Sequence, residues 1–178
     1  TGRRARITKR LSPVTPPNIF GIGLNYREHA RQMGVAIPQH PVVFMKPTTA
    51  VTGPDTSIQI PKCCGTRLEV DYECELAVVI GRTARNVSRE RALEYVFGYT
   101  VANEITAREW AKVSRTRGKI FDGFCPLGPV LVTADEIPDP QNLALSTTIN
   151  GEVMQSGNSR DMIFSVAEIV SYLSQDVT

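Results

Sequence analysis

Apolar and polar residues alternate along this chain in short runs, and the longest regular alternation lies between Val70 and Ile80. Val70, Tyr72, Cys74, Leu76, Val78 and Ile80 fall on one side of an extended segment, while Asp71, Glu73, Glu75, Ala77 and Val79 fall on the other, which predicts one strand over 70–80. Shorter apolar runs predict strands at Ile19–Leu24, Val42–Met45, Ile58–Ile60 and Val130–Val132. Leu145–Gln155 reads as a hairpin, because its Asn150-Gly151 tip favours the positive φ of a type I′ turn. Helical character follows from Asn25 to Met33, with Asn25 as a capping residue type and Gly34 as a stop, and again from Ser88 to Tyr95. Ser165-Val-Ala-Glu168 is a capping box that opens a helix carrying Ile169, Val170, Tyr172 and Leu173. Strands outnumber helices and come in hairpins rather than βαβ repeats, so the pattern predicts an α+β, mainly β fold.

Composition narrows the class. The chain has 178 residues, 42% hydrophobic and 21% charged, which fits one ordinary soluble domain rather than disorder. Its net charge of +2 is too balanced for a protein that holds nucleic acid or a membrane surface by bulk charge, so the expected partner is a small molecule. The basic residues Arg108, Lys112, Arg115, Arg117 and Lys119 bring no stacking platform that would change that expectation. No apolar run approaches the roughly 18 to 20 residues needed to span a bilayer, and Thr1-Gly-Arg-Arg-Ala-Arg6 lacks the apolar core of a secretory signal. A cytoplasmic protein is expected, with the mitochondrial matrix as the alternative compartment. The cysteines at 63, 64, 74 and 125 have no zinc spacing and are expected to be free, buried fillers. Residues 1–18 are basic and Pro-rich and read as an extended arm before a domain over 19–178. Gly21-Ile-Gly23 is not a dinucleotide fingerprint, because Tyr26 stands where the third glycine belongs.

The candidate chemistry lies in Asp71-Tyr-Glu73-Cys-Glu75, where strand periodicity puts three carboxylates on one face at spacings of about 6.5 to 7 Å. Such a face repels itself, so it is either a solvated edge or a cation site. Ala77 and Val79 continue the face with apolar residues, which places the acids where a buried surface opens onto a pocket. Unpaired burial would cost several kcal/mol per charge; a hard divalent ion removes that penalty, and all-oxygen ligation favours Mg²⁺, Mn²⁺ or Ca²⁺ over zinc. Glu104, at the end of the apolar run before Arg108, is a candidate third acid; Arg108 could equally pair with Glu104 or Glu109.

Four ordered motifs carry a resemblance. They are Asn25-Tyr-Arg-Glu-His29, Asp71-Tyr-Glu-Cys-Glu-Leu-Ala-Val-Val-Ile-Gly81, Ala102-Asn-Glu-Ile-Thr-Ala-Arg108, and Gly118-Lys-Ile-Phe-Asp-Gly-Phe-Cys-Pro-Leu-Gly-Pro129. Over about residues 18–178 the chain resembles the fumarylacetoacetate hydrolase family. The resemblance implies a mixed β-sandwich roll with a few short helices, a homodimer, and Mg²⁺ (or Mn²⁺ or Ca²⁺) chelating the carboxylate and keto oxygens of a 2-oxo or 1,3-dicarbonyl acid. It places Glu73, Glu75 and Glu104 on the metal, His29 as the base that activates water, Lys119 beside the developing enolate oxygen, and Arg27 and Arg108 on the substrate side. Hydrolysis of a C–C bond, decarboxylation and keto–enol tautomerisation all fit that apparatus.

The chain departs from the family pattern at several places. Glu104 stands where Asp is usual, Gln32 where a Glu orients the histidine, and Ala111 where many members have Gln. A neutral amide at 32 offers the imidazolium no charge, which tilts the expectation toward decarboxylation or tautomerisation. The stretch from Trp110 to Lys119 is shorter than in the relatives, and the chain stops at Asp176-Val-Thr178, before the Gly/Thr-rich segment with which members complete the site. Together these departures also suit a noncatalytic member that binds a small acid or a protein partner.

Overall fold

Two glycines on the first strand set how closely the site-bearing elements approach each other. The computed structural model describes residues 6–65 and 69–178, so residues 1–5 of the expected arm lie outside the described residues. β1 (Ile19–Gly23) pairs antiparallel with β2 (Val42–Lys46), and a Cβ on Gly21 would overlap the ring of Phe44. Between them lies α1 (Arg27–Gln32), shorter than the predicted 25–33 and without a side-chain cap. Asn25 is buried instead, and its amide bonds both the carbonyl and the N–H of Phe164 at 3.0 and 2.9 Å. A tertiary contact has taken the side chain that could have capped the helix.

β3 (Val51–Thr52) runs parallel to β8 (Cys125–Pro126), and residues 58–60 form no strand. The predicted strand over 70–80 is divided. β4 (Val70–Asp71) pairs with β7 (Thr106–Ala107), whereas β5 (Cys74–Ile80) pairs with β6 (Val96–Asn103), which carries β9 (Val132–Thr133) on its other edge. α2 (Arg108–Val113) follows β7 directly. β10 (Ala144–Ile149) and β11 (Glu152–Asn158) form the predicted hairpin, with φ of 51° at Asn150 and 86° at Gly151. α3 (Val166–Asp176) opens with the predicted capping box. Ser88–Tyr95 forms a 3₁₀ helix, Arg89–Tyr95, in place of an α-helix, and only Val132 of the apolar run 130–132 is in a strand.

Among the described residues three apolar clusters hold these pieces. Val96 and Tyr99 of β6 pack with Val166 and Val170 of α3 and Ala92 of the 3₁₀ helix; Leu76 and Val78 of β5 close that side. Ala77, on the opposite face of β5, packs against Ala50, Ala102, Cys125 and Leu127, with Val14 of the arm alongside. Cys64, Ile105, Ala107 and Phe124 form the third cluster beside the acidic residues. All four cysteines are free; Cys64 and Cys125 are buried as expected, Cys74 is half-buried, and Cys63 is exposed. The result is a mainly β, α+β fold of small sheets with few short helices. Among the described residues no helix is long and apolar enough to cross a membrane.

Candidate metal centre

The interruption of the predicted strand builds the site. Where the chain passes from β4 to β5, the Glu73 N–H turns to the side-chain oxygen of Asn103 at 3.3 Å, and the Glu73 carbonyl accepts from the Glu104 N–H at 2.8 Å. These bonds bring the end of β6 beside the start of β5. Glu73, Glu75 and Glu104 each offer a carboxylate oxygen, and the three oxygens lie within 4.8 Å of one another. Asp71, the remaining acid of the predicted face, is not in the trio. Its carboxylate receives the Arg108 Nε and Nη2 at 3.1 and 2.8 Å.

Arg108 also reaches Glu73 Oε1 at 2.8 Å through its other Nη, so its fork is occupied by Asp71 and Glu73 rather than by Glu104 or Glu109. Lys119, which composition alone would put on the surface, is 7% exposed. Its ammonium donates to Glu73 Oε2 at 2.7 Å, Glu104 Oε2 at 2.8 Å and Thr106 Oγ1 at 3.0 Å. Its depth follows from Gly118, where a Cβ would meet the Ala107 carbonyl and the Ala111 side chain at 2.7 Å. Ala111 therefore packs the turn that delivers Lys119, and a longer side chain there would meet that turn.

Three contributors were not singled out in the sequence. Lys46, at the end of β2, is buried; its ammonium lies 3.4 Å from Glu104 Oε1 and donates to the Lys119 carbonyl. Burial pushes its pKa down, against the pull of Glu104. Thr106 is wholly buried and donates to Glu73 Oε1 at 3.1 Å. Phe44 presents its ring to the Lys119 ammonium, 5.4 Å from the ring centre. The alternation of β2 was the available signal for Lys46, because it shares the inward face of Phe44; a lysine closing an apolar run ordinarily marks the exit to solvent.

Glu75 makes no ion pair among the described residues. Burial first, and then the neighbouring Glu104 and Glu73, push its carboxyl from the usual range up to about 8. The donor set suits a hard divalent cation. It is all carboxylate oxygen, it converges, and among the described residues one of its acids makes no ion pair. Lys119 and Lys46 neutralise the other acids without such an ion.

The expected base is less engaged. His29 lies exposed on α1, and its imidazole makes no hydrogen bond among the described residues. Gln32 donates to Glu28 at 3.1 Å, and Arg31 holds the same carboxylate at 2.6 Å, so the amide at 32 serves Glu28 rather than the histidine. Arg27, the first residue of α1, is also exposed.

Comparison with known proteins bears on the family. Residues 18–178 match the family model described as fumarylacetoacetate hydrolase C-terminal. A curated relative from Burkholderia lata is 48% identical over 163 residues, which cover 89% of this chain and 56% of the relative. The chain thus spans little more than half the length of the curated relatives it matches. Among solved structures, 5-carboxymethyl-2-hydroxymuconate delta-isomerase from Mycobacterium smegmatis is 36% identical with a TM-score of 0.84, over 99% of this chain and 70% of that one. Maleylpyruvate hydrolase from a Sphingobium species, solved with manganese(II) and pyruvate, is 32% identical with a TM-score of 0.80, over 94% of this chain and 58% of that one. With the ordered motifs, the split strand and the converging acids, these matches show that the chain belongs to the fumarylacetoacetate hydrolase family.

Proposed function

We propose that this chain carries the metal-binding part of an enzyme acting on 2-oxo or 1,3-dicarbonyl acids. The observation that supports the reading is the convergence of Glu73, Glu75 and Glu104 to within 4.8 Å. These three residues would hold Mg²⁺, with Mn²⁺ or Ca²⁺ as alternatives of the same hard-oxygen chemistry. Bound there, the ion supplies a Lewis acid that lowers the cost of negative charge on a substrate keto oxygen.

The chain's own residues supply the rest. Arg108 and Thr106 hold Glu73 from two directions, which fixes one ligand before anything binds. Lys119, already directed into the cluster, offers its ammonium to a substrate oxygen that gains charge. His29 accepts a proton at an imidazole nitrogen, from water in hydrolysis or from carbon in tautomerisation. Arg27 at the head of α1 offers its guanidinium to the substrate carboxylate.

One observation favours a second reading, a noncatalytic member that binds a small acid or a protein. Lys119 lies between Glu73 and Glu104 at 2.7 and 2.8 Å, so these two acids are neutralised by the protein itself. Calorimetric titration with Mg²⁺, alone and with the chelating mimic oxalate, separates the readings. The enzyme reading expects Mg²⁺ binding that tightens oxalate, turnover of acylpyruvate or oxaloacetate, and loss of turnover by at least about a hundredfold in Glu73→Gln. Absence of Mg²⁺ binding, or turnover unchanged after chelation, overturns it.

A further inference from the structure

The cations around the site differ in what already holds them. Arg108 is occupied by Asp71 and Glu73, Lys112 pairs with Glu69 at 3.2 Å, and Arg31 pairs with Glu28. Arg117 lies between the rings of Trp110 and Phe121, 4.5 and 4.6 Å from their centres. Arg115 is different: among the described residues its guanidinium has no carboxylate, no hydrogen-bond acceptor and no aromatic partner. Yet it is placed. A Cβ on Gly23 would overlap Arg115 Nη1, so the guanidinium lies directly on the backbone of β1 at the one residue type that leaves room for it.

The register of the β1–β2 hairpin shows where that point lies relative to the acids. Ile19, Gly21 and Gly23 share a face by alternation, and they stand opposite Lys46, Phe44 and Val42. Lys46 at one end of this face reaches Glu104 and the Lys119 carbonyl; Phe44, over Gly21, touches the Lys119 ammonium. Arg115, over Gly23, lies two residues further along, about 7 Å by the rise of a strand. One face of the hairpin therefore runs from the acidic cluster, past an aromatic ring, to an uncommitted guanidinium.

From this we infer that Arg115 is a specificity-determining residue, which takes the second carboxylate of a dicarboxylic oxo acid whose 2-oxo end lies at Glu73, Glu75 and Glu104. The inference rests on the function proposed above and names its substrate class. A fork-shaped guanidinium suits a carboxylate in two-point contact. A seven-carbon diacid separates its two carboxyl carbons by roughly 7.5 Å when extended, close to the two-residue step from Gly21 to Gly23 along this face.

The test compares two acids of equal length, 2-oxoheptanedioate and 2-oxoheptanoate, by calorimetry on the intact protein saturated with Mg²⁺. The protein is expected to bind the diacid about tenfold or more tighter than the monoacid. Arg115→Gln, at an exposed position that folding does not depend on, removes this preference and leaves the monoacid within about twofold. Arg115→Lys restores part of the preference. Gly23→Ala, which displaces the guanidinium without deleting it, reduces the preference as Arg115→Gln does. If Arg115→Gln weakens both acids equally, or leaves the preference intact, the inference fails while the proposed function stands. If neither acid binds in a Mg²⁺-dependent way, the proposed function fails and this inference with it.

Discussion

Glu73 and Glu104 take up two buried ammonium groups and one guanidinium, and Glu75 is the acid of the trio that has no direct partner among the described residues. Its carboxyl, raised from 4.5 to about 8, makes a pH prediction whose sign is fixed. Between these values the metal-free folded protein keeps the proton and the unfolded chain does not. Stability therefore falls as pH rises from about 4.5 to 8, by at most about 1.4 kcal/mol per pH unit. Denaturant midpoints across this range should show the slope in the metal-free protein, and Glu75→Gln should flatten it. A protein whose metal-free midpoint rises over the same interval contradicts the assignment. Below pH 8, Mg²⁺ binding should release close to one proton, read as a dependence of the binding heat on buffer ionisation. The trio itself was legible from residue spacing and family motifs. Lys46 and Thr106 were not, because a polar side chain turned inward is revealed only by the partners that satisfy it.

Among the elements, those governed by local chemistry match their sequence patterns most closely. The capping box of α3 and the Asn150-Gly151 turn depend on residues within a few positions of one another, and both form as read. Ser165 accepts from the Glu168 N–H at 3.2 Å, and Glu168 accepts from the Ser165 N–H at 2.7 Å. Ser165→Ala should therefore cost about 1 kcal/mol, measured by urea denaturation, and should speed amide exchange in the first turn of α3 before it affects β5. A cost near zero would mean that packing of Val166 and Val170 alone holds the helix. The elements that differ from expectation are those with competing distant partners. Asn25 is a sound cap residue type, but Phe164 holds both ends of its amide. Alternation over 70–80 is real, yet periodicity cannot say which neighbour a strand will pair with, and here the neighbour changes after Asp71.

For the molecule as a whole, a site made from β2, β5, the end of β6, β7 and the 119 turn joins segments far apart in sequence. An ion held there opposes unfolding of all of them together. At 100 times its dissociation constant Mg²⁺ should add about 2.7 kcal/mol to the unfolding free energy, seen as a rise in thermal midpoint that chelation reverses. Glu73→Gln should abolish that rise, and a midpoint indifferent to Mg²⁺ in the unmodified protein would argue against an ion linking these strands.

Local patterns in the sequence by themselves determined the mainly β class, the capped last helix, the glycine-tipped hairpin, the family motifs and the neighbouring acids Glu73 and Glu75. Each rests on neighbours along the chain or on residue type, and both are present before folding. Only the tertiary structure decided that Asp71 leaves the acidic group for Arg108, that Lys119 and Lys46 are buried against Glu104, and that Arg115 lies on Gly23. These are choices among several charged partners of similar local merit. They are settled by which backbones can approach closely, a property of the packed chain that no short stretch of it contains.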